Sequence, residues 1–131
     1  MRRCSGLLLI LLGLIHVLVG LVSTTAILRN MWHYGLWNNL IRNSQAQCLQ
    51  SLPCLQANLV WWFIAWGLML LLLGVIVHWV ESRLKQAVPA IIGWLLLLLS
   101  TLCAVLMPVS GFWAVMLIAV YMIVLARRGH A

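Results

Sequence analysis

Residues 6–28 read GLLLILLGLIHVLVGLVSTTAIL, one apolar run with no charged residue. Gly6, Gly13 and Gly20 recur at a spacing of seven, with His16 between the last two. At 100° per residue these four positions share one helical face. That face is nearly bare and holds one titratable group. It reads as a seam against which other helices pack.

The composition fits such a helix. Of 131 residues, 66% are hydrophobic and 7% charged. Soluble domains carry about 25% charged residues, so the chain reads as a membrane protein. The net charge of +7 could suggest nucleic acid. The basic residues instead cluster at the ends of apolar runs, at Arg2 and Arg3, Arg83 and Lys85, and Arg127 and Arg128. That distribution is topological and argues against a nucleic-acid partner. Glu81 is the only acid, which excludes carboxylate-pair chemistry within one chain.

Three further runs are long or nearly long enough to span: Leu59 to Val80, Val88 to Met107, and Phe112 to Ala126. The last is short for a bilayer that needs roughly 20 residues, so its helix is expected to start near Val109. The fold expected is an all-α, single-domain membrane protein over 1–131. Four helices, about 6–28, 59–80, 88–107 and 109–126, run up-down-up-down, with an outer loop at 29–58. The first run exceeds the apolar core of a signal peptide and reads as a retained span. Six Lys and Arg flank one side and two, Arg29 and Arg42, the other. Both termini are therefore expected in the cytoplasm.

The long outer loop carries Trp32, Leu36, Trp37, Leu40 and Ile41 on one half of a helical wheel. This predicts a short amphipathic helix in the outer interface. Downstream lie Cys48 and Cys54, with Pro53 between them favouring a turn. On the oxidising side of a membrane they form a candidate disulfide; two free thiols or a redox-active pair are the alternatives. Trp61, Trp62, Phe63, Trp66 and Trp79 read as interfacial belts.

Gly67 and Gly74 repeat the spacing of seven on the second run. Counted inward from Gly6 and Val80, Gly13 falls level with Gly74 and Gly20 with Gly67. The expected seam is therefore Gly13, Gly20, Gly67 and Gly74, meeting at matched heights across an antiparallel contact. His16 lies near the midplane on that seam. Ser100 and Thr101 lie at similar height and complete a candidate buried polar site, in which hydroxyls or an exposed carbonyl would satisfy the imidazole. Glu81 is expected to be solvated and to pair with His78 or Lys85.

Four pieces of sequence carry a resemblance: Gly13-Leu14-Ile15-His16, Trp62-Phe63 with Gly67 and Gly74, Pro89 with Gly93-Trp94, and Met107-Pro108-Val109-Ser110-Gly111-Phe112-Trp113. Together they resemble an uncharacterised bacterial family of small four-helix integral membrane proteins. The resemblance implies a bacterial inner-membrane protein. It implies no activity, cofactor or catalytic residue.

Three functions are compatible with these features. The leading one is a non-enzymatic structural or accessory membrane component, with no catalytic residue, metal or cofactor expected. The second is a small oligomeric transporter or permeation unit using His16. The third is thiol–disulfide exchange with a membrane quinone through Cys48 and Cys54. Lipid is the expected surrounding in all three, with a second copy or a complex subunit as partner.

Overall fold

The computed structural model describes residues 4–34, 52–85, 88–107 and 111–128. Among them are five helices: α1 Ser5–Ser23, α2 Thr25–Tyr34, α3 Leu52–Arg83, α4 Ala90–Leu106 and α5 Phe112–Arg128. Chain contacts divide the protein into two units, residues 1–14 with 69–131, and residues 15–68.

α1 and α3 are long and apolar enough to cross a membrane. Their most apolar stretches are only 28% buried, whereas a core helix of a soluble protein would be mostly covered. Val22, for example, is 76% exposed. A surface this apolar suits lipid as its solvent. α4 and α5 have 17 residues each, about 25 Å at 1.5 Å per residue, short of the roughly 30 Å of a hydrocarbon core. Among the described residues the membrane-length criterion is thus met by two helices, where hydropathy led to an expectation of four.

Several helix boundaries differ from the expected ones: α5 starts at Phe112 rather than near Val109, and two other differences have a readable cause. The first run is divided at Thr24. Its hydroxyl donates to Gly20 O at 2.6 Å, and that of Thr25 donates to Leu21 O and Val22 O. Such back-bonding competes with the helical ladder and bends it. The ladder is not lost, since Thr24 N bonds Gly20 O and Leu28 N bonds Thr24 O. α3 begins at Leu52, not at Leu59, and runs for 32 residues. Pro53, expected in a turn, is its second residue; a first-turn proline lacks only an N–H that would be unpaired there. The polar residues Gln56 and Asn58 interrupt the apolar run without interrupting the helix.

In the first unit, α4 and α5 form an antiparallel hairpin. Gly93, Leu96, Ser100 and Ala104 are the buried face of α4. Gly93 lets the backbones close: a Cβ there would lie 3.2 Å from Ala119 O and 3.3 Å from Ile123 N. The core of this unit joins Leu9 of α1, Leu70 and Val77 of α3, Val88, Leu96 of α4, and Val115, Ile118, Ala119 and Met122 of α5. The amphipathic helix expected around Leu36 to Ile41 lies outside the described residues, as does the Pro108–Ser110 turn.

Candidate functional site

His16 sits on α1 in the second unit, half-buried. Its Nε2 lies 3.2 Å from the carbonyl oxygen of Phe63 on α3. A carbonyl only accepts, so Nε2 carries the proton and donates. The imidazole also stacks on the Phe63 ring, with centroids 3.9 Å apart and planes 15° apart. Gly67 makes this possible. It lies one turn beyond Phe63 and covers that carbonyl with no side chain. A Cβ at Gly67 would lie 2.6 Å from Val17 Cγ2 and 3.1 Å from His16 Cδ2.

Gly20, one turn along α1 from His16, completes the slot. A Cβ there would lie 2.8 Å from Phe63 Cδ1. Phe63, expected to be only a belt residue, is 39% exposed and fills the space between His16 and Gly20. The readable signal was a glycine four residues from a histidine, which leaves a slot the size of an aromatic ring. His16→Ala is expected to lose one interhelical hydrogen bond and one ring stack, about 1–2 kcal/mol together. Thermal unfolding in a mild detergent measures it, and a change within error would mean the pair contributes nothing.

The hydroxyls expected near His16 are used elsewhere. Ser100 Oγ donates to Leu97 O at 3.1 Å, and Thr101 Oγ1 donates to the same oxygen at 2.7 Å. Ser100 is buried and Thr101 exposed. Of the partners considered for the imidazole, it is a backbone carbonyl that it meets.

The four glycines of the seam are buried, and the atoms nearest to Gly67 and Gly74 are not those of Gly20 and Gly13. Gly74 faces Ile10 N at 2.6 Å and Gly6 O at 3.0 Å, measured from its ideal Cβ position. Gly67 faces Val17. Each contact lies three residues short of the expected partner, Gly13 or Gly20, about 4.5 Å along the axis. The physical reason is that a glycine is a hole. It receives a bulkier neighbour or a backbone rather than another hole. Gly13 is buried in the first unit.

The least anticipated contact is at the start of α1. Glu81, in the last turn of α3, is 7% exposed. Its carboxylate accepts from the Ser5 hydroxyl through Oε1 and from Gly6 N at 3.1 Å through Oε2. The first N–H groups of a helix have no partner within it, and the helix dipole favours an anion there. Glu81 thus caps α1 from 75 residues away in sequence. The expected pairing with His78 is not formed. His78 Nδ1 is buried without a hydrogen-bond partner among the described residues, and Gly6 packs directly on the His78 backbone.

Cys54 is buried in the first turns of α3, 5% exposed. Cys48 lies outside the described residues, and so does the pairing of the two. Among the described residues Cys4 and Cys103 are free thiols. The described residues contain no group of three or more His, Cys, Asp or Glu arranged for a metal.

The described residues define a small helical protein in which two helices are long and apolar enough to cross a membrane. Residues 1–129 match the family described as Family of unknown function (DUF6463), and the chain belongs to that family. Neither the curated proteins nor the solved structures give a match.

Proposed function

We propose that the chain is an integral protein of a bacterial inner membrane that serves as a non-enzymatic structural or accessory component of a membrane complex. All four apolar segments are embedded in this reading, and both termini face the cytoplasm. The observation that carries it is how the polar groups within the helices are used. His16 is engaged by Phe63, Ser100 and Thr101 by Leu97, and Glu81 by Ser5 and Gly6. These groups tie helices together or close their own backbone, which is the work of a scaffold.

The asymmetry of basic residues supports the orientation, six against two. Two contacts agree with it. Ser5 meets Glu81, and Arg127 lies over Trp94. The start of α1, the end of α3, the start of α4 and the end of α5 then share one side. The reading assigns no cofactor. A Cys48–Cys54 disulfide would belong to the opposite, oxidising side. The partner is a second copy or another membrane subunit.

The test is affinity purification of the tagged chain in mild detergent, followed by reconstitution into proteoliposomes. A stoichiometric membrane partner, or a defined homo-oligomer, with no proton or solute flux above empty vesicles is the expected result. A lone chain with pH-dependent flux that His16→Ala abolishes would overturn it in favour of a transporter.

A further inference from the structure

His16 makes one hydrogen bond among the described residues, from Nε2 to Phe63 O, and its Nδ1 makes none. In the neutral ring Nε2 holds the proton, so Nδ1 is a bare acceptor. The one side-chain nitrogen or oxygen enclosed without a partner among the described residues is His78 Nδ1. His16 Nδ1 is therefore open at the surface of the α1–α3 contact. α1 runs from Ser5 to Ser23, with Leu14 as its middle residue. His16 stands two residues beyond, about 3 Å along the axis, so the open nitrogen lies near mid-depth when α1 spans. An acceptor left unpaired there costs free energy, and lipid tails carry no donor.

The surface around the nitrogen narrows what brings the donor. Gly13 and Gly20 flank His16 on its buried side, and Leu12 and Val19 flank it on the other, where Val19 is exposed. Helices approach one another in lipid at small residues. The bare positions here are already filled, Gly20 by Phe63 and Gly67 by Val17. A further helix would meet the branched side chains of Leu12 and Val19 instead. A small planar molecule reaches between them. Phe63, stacked on the imidazole and part-exposed, adds aromatic surface beside the acceptor.

We propose that His16 Nδ1 and Phe63 form a binding site for a lipid-soluble hydroquinone, whose ring hydroxyl donates to Nδ1 while its ring packs beside Phe63. The proposal rests on the membrane reading above and concerns binding alone; no electron or proton is transferred. The oxidised quinone carries only acceptors on its ring oxygens, so an acceptor nitrogen selects the reduced form.

The experiment uses the full chain in phosphatidylcholine nanodiscs, with decyl-benzohydroquinone, its quinone and its dimethyl ether as probes. Retention is measured against empty nanodiscs. The hydroquinone is expected to be retained about fivefold better than the other two, the worth of one hydrogen bond. H16F should lose that preference, and H78Q should keep it. Should H16F fail to fold, the nitrogen NMR resonance of His16 Nδ1 in the wild-type chain gives the same answer: it shifts with the hydroquinone and not with the quinone. Equal retention of the three probes overturns the proposal. So does a preference that H16F keeps or that H78Q removes equally. A resonance already at its hydrogen-bonded position before any probe is added overturns it too, since a donor from a second subunit then holds the nitrogen. A chain that stays soluble without detergent would instead sink the membrane reading itself, so the two failures are distinguishable.

Discussion

Glu81→Ala is expected to destabilise the protein by about 3 kcal/mol, measured as reversible unfolding in a mild detergent. Hydrogen bonds to a charged group contribute about 1.5–3 kcal/mol each, and removing an acceptor leaves its donors unsatisfied. Two such bonds are lost here, from the Ser5 hydroxyl and from Gly6 N. Both donors lie at a helix start, where the orphaned N–H groups have no replacement within the helix. Glu81→Gln keeps an acceptor but loses the charge, so an intermediate loss is expected. Ser5→Ala removes one bond and leaves the carboxylate held by Gly6, for a loss of about 1.5 kcal/mol. If the alanine variant unfolds with the wild-type profile, the carboxylate is solvated, as its place beside Arg83 in sequence would suggest.

Adding a methyl group to the α1–α3 contact is expected to cost nearly as much. At Gly6 a Cβ would collide with His78 N, and at Gly74 it would lie 2.6 Å from Ile10 N. Both obstacles are backbone atoms, which cannot rotate away as a side-chain tip can. The helices must separate, and overpacking of this kind costs about 1–3 kcal/mol per site, occasionally more. Gly6→Ala and Gly74→Ala touch the same contact, so their combined effect should fall short of the sum of the two. Gly111→Ala is the internal comparison. Nothing lies within 4 Å of the Cβ it would add, and no measurable loss is expected from crowding. Equal unfolding profiles for all three variants would mean that the helices do not approach at these glycines.

The bare face of α1 is legible in the sequence because glycine spacing reports directly which side of a helix can be approached. The partner's height is not. Counting inward from the edges of two apolar runs treats lipid burial as a ruler, yet helices continue past the point where hydropathy falls. α3 shows this most clearly. The count was taken from the end of its apolar run at Val80, but its helix continues to Arg83, and Gly6 packs on His78 rather than level with Val80. An offset of three residues follows, which sets Gly74 against Ile10 and Gly67 against Val17.

Glu81 was hidden for a different reason. Its neighbours at helical spacing are His78 and Lys85, and local spacing favours those partners. The partners it takes are 75 and 76 residues away, and only the folded chain brings them together. Ser5, a residue suited to helix starts, was the available hint that α1 needed closing at that point. Phe63 was obscured by its company. Beside Trp61 and Trp62 it reads as one more interfacial aromatic, and its packing depends on a slot in another helix.

The cap on α1 also sets an order of events during biosynthesis. Serine 5 and the amide of Gly6 leave the ribosome first, while the carboxylate they need is added 75 residues later. The first helix of a nascent chain is therefore made with an open amino end, which closes only after α3 has been made. A translation product halted before Glu81 would lack the carboxylate that accepts from Ser5 and Gly6 N.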